Sequence, residues 1–177
     1  MKPDALIVID VQQALIDDHP YGEQQLLHTL SVLLAECRAQ SVPVIYVQHE
    51  EDGVLAHGSR GWQVAGAIAP REDEPRIYKR FSSAFRQTEL HALLQSMRAQ
   101  NLILCGMQTE YCVDATCKVA FELGYNVTVP HGGTSTYDND PFKAQDLIAF
   151  YEKAIWADRF AQIRPLEDVL RCIRGEA

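Results

Sequence analysis

Three side chains of this sequence have the types and the placing that bond-breaking chemistry requires: Asp10, Lys79 and Cys112. Cys112 stands in Leu102-Ile103-Leu104-Cys105-Gly106-Met107-Gln108-Thr109-Glu110-Tyr111-Cys112-Val113-Asp114-Ala115-Thr116, where an apolar strand breaks at a glycine and the chain restarts as a helix. A thiol in a first helical turn feels the positive end of the helix dipole beside unpaired N–H groups, so thiolate and oxyanion are both expected to be stabilised there. Composition alone does not separate it from Cys105 and Cys117, because unpaired cysteines are among the most often buried residues. Asp10 interrupts an apolar run where an ionised carboxylate needs a partner. It reads either as a cap for a turn with Gln12 or Gln13 or as the general base of a nearby thiol. Lys79, within Tyr78-Lys79-Arg80-Phe81-Ser82-Ser83-Ala84-Phe85, reads by itself as a solvated lysine. The joint occurrence is more informative, since a base, a cation and a nucleophile are the parts of an activated-thiol hydrolase.

The elements around these residues predict that all three fall on one edge of a sheet. Residues 5–11 are apolar on both alternating faces and rich in β-branched side chains, as a central parallel strand covered on both sides must be. An amphipathic helix follows at 23–40, with Leu26, Leu27, Leu30, Leu33, Leu34 and Cys37 at helical spacing, after a polar turn at 17–20. Strands are expected at 43–47, 76–79, 101–105, 126–129 and 160–163, and helices at 88–100, 112–123, 141–156 and 166–173. Residues 49–74 form a long polar stretch containing four glycines. Six strands alternating with helices predict a three-layer α/β/α fold, a doubly wound parallel sheet in one domain spanning 1–177. Ligands of such sheets gather at the carboxyl ends of the strands, where Asp10, Lys79 and Cys112 are placed.

Composition narrows the function classes. At 177 residues, 47% of them hydrophobic, the chain is long enough for a sizeable core. No apolar run approaches a membrane span and no signal-peptide pattern opens the chain, so a cytoplasmic protein is expected. A formal charge of −8 points away from nucleic acid and anionic membranes, toward a small-molecule partner. Five cysteines without a C-x-x-C pair suggest reduced thiols rather than a disulfide framework or a zinc ribbon.

Val8-Ile9-Asp10-Val11-Gln12, the Tyr78–Phe85 segment and Cys105-Gly106-Met107-Gln108-Thr109-Glu110-Tyr111-Cys112-Val113 resemble, in this order, the isochorismatase-like cysteine hydrolases, a family related to nicotinamidases. Also similar are Val47-Gln48-His49-Glu50, Gly58-Ser59-Arg60-Gly61-Trp62-Gln63 and Ala120-Phe121-Glu122-Leu123-Gly124-Tyr125. The resemblance implies a Rossmann-like six-stranded sheet in the order 321456, a catalytic triad of Asp10, Lys79 and Cys112, and a cis peptide at Met107-Gln108. It further implies an oxyanion hole from the N–H groups of Gln108 and Cys112. The implied reaction is hydrolysis of an amide or carbamoyl C–N bond through a thioester-type acyl-enzyme, without a cofactor. Alternatives are isochorismatase-type vinyl ether hydrolysis, which can dispense with the cysteine, and a non-catalytic thiol-sensing or binding protein. Family members are commonly dimers or larger, and an exposed Trp62 or Trp156 is a candidate contact.

The sequence also departs from the family pattern. The nicotinamidase branch carries Asp-x-His and a further His for a metal ion, whereas here Gln48-His49-Glu50-Glu51-Asp52 precedes His57, and no metal is expected. Gln63-Val64-Ala65-Gly66 stands where relatives often have a histidine-proline pair. Gly132-Gly133 lacks a following G-K-[ST] and reads as a plain turn rather than a phosphate cradle. Leu15, His49, Trp62, Phe85 and Tyr111 are candidate substrate-pocket residues, with core or subunit contact as the other reading.

Overall fold

The computed structural model describes residues 2–176. The first apolar run becomes β1 (Ala5–Ile9), with all five residues buried. Ala5, Ile7 and Ile9 enter one hydrophobic layer, and Leu6 and Val8 enter the other. The sheet lies between these layers, which is why the strand is apolar on both faces. β2 (Val44–His49) and β3 (Arg76–Lys79) lie on one side of β1. On the other lie β4 (Asn101–Met107), β5 (Asn126–Pro130) and β7 (Gln162–Arg164). The path is β3-β2-β1-β4-β5-β7, and every pairing is parallel.

This path is the expected 321456 order with one strand added. The seventh, β6 (Thr134–Ser135), lies off the path and pairs with the end of β4 at Gly106 and Met107. Two residues carry no periodicity, so the sequence pattern does not reveal it. α2 (Glu23–Ala39) and α6 (Leu166–Arg174) contribute to the layer around Leu6 and Val8. α3 (Leu90–Ser96) and α4 (Asp114–Glu122) contribute to the opposite layer, together with Trp156.

Several boundaries shift. A short helix, α1 (Gln13–Asp17), precedes the turn expected at 17–20. The helix expected at 88–100 stops at Ser96, because Arg98 takes a φ of 55° that no helix continues through. The helix expected from Pro141 begins at Ala144 as α5 (Ala144–Phe150), after a cis Asp140-Pro141 bond, and widens into a π turn at Tyr151–Trp156. Neither tryptophan is exposed, contrary to the expectation that offered them as subunit contacts: Trp62 keeps 6% of its surface and Trp156 none. Trp156 is anchored from within the layer, its Nε1–H donating to Asp114 Oδ1 at 2.9 Å. Among the described residues no helix is long and apolar enough to cross a membrane, and all five cysteines are free thiols.

Candidate active site

The register of the sheet fixes where the reactive side chains meet. Ile9, the last residue of β1, pairs with Val47 on one side and Gly106 on the other, and β3 ends at Lys79 opposite His49. Asp10 therefore leaves the sheet at the centre of its carboxyl edge, where its N–H donates to Val47 O at 2.9 Å. Its φ of 50° is rare for a side-chain-bearing residue and turns the chain abruptly out of the strand. The Lys79 ammonium lies 2.6 Å from Asp10 Oδ2. It donates to Cys112 Sγ at 3.2 Å and to His49 Nδ1 at 3.1 Å. Asp10 and Lys79 are each only 2% exposed, so neither is the solvated residue that composition alone allows. The 2.6 Å contact is a charge contact off the line of a hydrogen bond, and the Cys112 thiol is a second group that the Asp10 carboxylate acts on. The turn-capping alternative for Asp10 fails, since the Gln12 amide is engaged elsewhere.

The loop that carries Cys112 is tied down by the strand that the pattern missed. The Met107-Gln108 peptide is cis, and residues Thr109–Val113 form a π turn that runs into α4, so the helix expected at 112–123 starts three residues earlier. Gln108 O accepts the N–H groups of Tyr111 and Val113, each at 3.2 Å. Thr109 Oγ1–H lies 3.1 Å from Thr134 Oγ1 and 3.2 Å from Ser135 O, and Thr136 Oγ1–H donates to Glu110 Oε1 at 2.8 Å. Gly106 has a φ of 128°, and a Cβ there would lie 2.0 Å from Ile9 O, so only glycine lets β4 pass this close to β1.

The electrostatics differ from the expectation of a stabilised thiolate. Burial pushes the Cys112 thiol up and the neighbouring Asp10 carboxylate adds to it, so that even with Lys79 opposing, the thiol titrates at about 12. The first-turn dipole argument was outweighed because the turn buries the sulfur beside an anion. His49 moves down, first through burial and then through the Lys79 charge. Near neutrality the site thus holds a protonated thiol and a neutral imidazole. Donor atoms of Asp10, His49 and Cys112 all lie within 4.8 Å of one another. That is a spacing able to surround a cation, and the cation it surrounds is the ammonium of Lys79.

Gln12, fully buried, is a structural residue that sequence reasoning passed over. Its amide accepts the His49 N–H at 2.8 Å and donates to His49 O at 2.9 Å, extending the β2 backbone pairing with a side chain. It also donates to Trp62 O at 3.0 Å, as does Gln48 at 2.8 Å. Of the five pocket candidates, His49 touches Lys79 directly. The Trp62 ring packs on His57 and Tyr78, with centroids 4.3 and 5.2 Å away, while His57 also contacts the Glu50 carboxylate. Phe85 directs its ring to Tyr125 and His91, toward the start of β5 and away from the carboxyl edge. Tyr111 is half exposed and its hydroxyl accepts from Asn139, and Leu15, within α1, packs against the core. A groove of about 300 Å³ lined by Glu50, Tyr78, Lys79, Arg80, Phe81, Arg86 and Gln87 adjoins the site. The larger cavity, about 570 Å³, lies at the amino ends of β4 and β5 between Phe121, Tyr125 and Phe160, and no triad residue lines it.

Comparison with known proteins places this geometry in context. The family profile described as the isochorismatase domain matches residues 4–158. The isochorismatase family protein YddQ of Bacillus subtilis (strain 168) is 32% identical over 142 residues, which cover 75% of this chain and 77% of that protein. A streptothricin hydrolase of Streptomyces noursei is 33% identical over 138 residues, 76% of this chain, but the match spans only 50% of that protein's length. A crystal structure of an isochorismatase family protein superimposes with a TM-score of 0.86 at 36% identity, covering 90% of this chain and 96% of that one.

Proposed function

The chain belongs to the isochorismatase family of hydrolases, and on that premise we propose that it cleaves an amide or carbamoyl C–N bond of a small molecule with Cys112 as nucleophile. The observation that carries this reading is the buried Lys79 ammonium in contact with both buried Asp10 and partly buried Cys112.

The chemistry follows from the protonation states. A thiol held near 12 does not ionise by itself at neutral pH, so its proton must leave as sulfur attacks the carbonyl carbon. Asp10, in contact with the Lys79 ammonium and beside the Cys112 thiol, is the acceptor within reach, and Lys79 stabilises the negative charge wherever it resides. The carbonyl oxygen of the tetrahedral adduct is assigned to the N–H groups of Gln108 and Cys112, each donor worth roughly 3 kcal/mol in the barrier. Collapse breaks the C–N bond, Asp10 returns its proton to the departing amine or ammonia, and a thioester remains on Sγ. Water then gives a proton to Asp10 and attacks the thioester, which releases the acid and restores the thiol.

The cysteine route is favoured over vinyl ether hydrolysis by the engagement of Sγ with Lys79. A raised thiol also speaks against a redox sensor, whose cysteines are low in pKa and accessible. The streptothricin hydrolase similarity supports hydrolysis of a small molecule. The test is ammonia release from a panel of primary amides and ureido compounds, with intact-mass detection of the acyl-enzyme. Cys112→Ala is expected to abolish both signals; persistent turnover in that variant would sink the mechanism.

A further inference from the structure

We propose that His49 is a positioning residue for Lys79, holding the ammonium between Asp10 and Cys112 by accepting one of its N–H bonds at Nδ1. The inference rests on the proposed cysteine chemistry and adds a fourth side chain to it. An ammonium has three N–H donors and no acceptor, so its orientation is set by what surrounds it. Here Cys112 Sγ takes one donor at 3.2 Å and His49 Nδ1 takes another at 3.1 Å, while the Asp10 contact is a charge contact off the hydrogen-bond line. Without His49 the ammonium would be free to rotate and collapse onto the nearer carboxylate, abandoning the sulfur.

The imidazole is itself prepared for this role. The two-point hydrogen bonding of Gln12 to the His49 backbone fixes the Cα. Accepting at Nδ1 requires that this nitrogen be bare, so the ring proton resides on Nε2, which lies 3.8 Å from Glu51 Oε2. The charged groups that act on the ring are Asp10 after β1, Lys79 at the end of β3, Arg80 just beyond it, and Glu51 on its own segment, with neutral Cys112 across the site. Burial and the cations together outweigh the two carboxylates and hold the imidazole neutral to below its ordinary value. Protonation would aim an Nδ1–H bond at the ammonium. The arrangement is therefore intact above the depressed His49 value and is lost as pH falls through it.

Three measurements test this. In the intact protein, long-range proton–nitrogen NMR of His49 is expected to show the Nε2–H tautomer with Nδ1 unprotonated, and an Nδ1–H tautomer overturns the proposal. The same signal followed against pH in Lys79→Met is expected to titrate higher than in the wild type, and an unchanged titration overturns it. The rate of Cys112 labelling by iodoacetamide at pH 7.5, read by mass spectrometry, is expected to fall about ten-fold in His49→Leu, the size of one lost charge-assisted bond. His49→Asn, which returns an amide oxygen near the Nδ1 position, is expected to recover most of that loss. Equal loss in both variants, or in neither, overturns the proposal. These readings need no substrate: an amide panel that stays silent counts against the proposed reaction, whereas a wrong tautomer counts against His49 alone.

Discussion

Replacing Lys79 by methionine separates what the buried ion pair does for folding from what it does for chemistry. Methionine keeps the length and most of the apolar stem, so little packing is lost. The charge is lost. Asp10 is then left 2% exposed, without a cation beside it. Removing one partner of a buried pair costs about 3–5 kcal/mol, chiefly because the other charge is stranded, whereas removing both is often close to neutral. Lys79→Met is therefore expected to lower the unfolding free energy by about 3–5 kcal/mol at pH 7, and adding Asp10→Asn is expected to restore most of it. Urea unfolding reads the result as a fall in the midpoint at unchanged slope. The two single variants and the double variant close a cycle with a coupling well above the roughly 0.5 kcal/mol seen for independent sites. Additive losses within that margin would refute the claim that the 2.6 Å contact is an energetically coupled pair. Labelling of Cys112 should remain poor in Lys79→Met and in the re-stabilised double, because both lack the cation that faces the sulfur, whereas Asp10→Asn alone keeps that cation and loses the carboxylate that raises the thiol.

Other changes follow from the same structure. Gly106→Ala places a Cβ 2.0 Å from Ile9 O at a φ of 128°, so β1 and β4 must part next to both Asp10 and the nucleophile loop. A loss of about 3 kcal/mol or more is expected, from overpacking and backbone strain together, checked by thermal unfolding. Only the thiolate is alkylated, and burial pushes the Cys112 thiol up to about 12. The iodoacetamide rate should therefore keep rising through pH 10, where an ordinary cysteine of pKa about 8.5 has already levelled off; a plateau near pH 9 would contradict the raised thiol. Thr136→Val removes the hydroxyl that donates to Glu110 Oε1 and leaves a carboxylate oxygen without a partner. About 1–3 kcal/mol of stability should go with it, measured by urea unfolding.

The order of the main strands was legible because each is a short apolar run bounded by turns, and parallel connectivity leaves few ways to arrange them. The site was legible only in combination. Lys79 looks like a surface lysine until β3 is seen to end beside His49, and Asp10 looks like a cap until Ile9 is paired on both sides. Two things could not be read. β6 is two residues long, yet Thr134 and Ser135 receive the Thr109 hydroxyl and secure the turn before Cys112. Gln12 hydrogen-bonds across 37 residues to His49, a pairing with no periodic trace. Local patterns also misjudged the thiol, because a helix start attracts negative charge only where burial and a neighbouring carboxylate do not outweigh it.

That last point shapes how the site must work. A low-pKa thiolate would be reactive at all times, toward oxidants as well as substrate. Here the resting sulfur keeps its proton, and the burial that raises it also strengthens the field of Lys79 and Asp10 inside the site. Under the proposed mechanism most of the sulfur's reactivity near neutral pH arises as a carbonyl carbon comes within its reach and Asp10 takes the proton, which would couple nucleophilicity to occupancy. Volume is no guide here: the larger cavity lies at the amino end of the strands, and Asp10, Lys79 and Cys112 sit beside the smaller groove at the carboxyl end. In a parallel sheet the strand ends bring side chains from β1, β2, β3 and the turn after β4 to one point, and it is that convergence, held by register, that makes a neutral thiol usable.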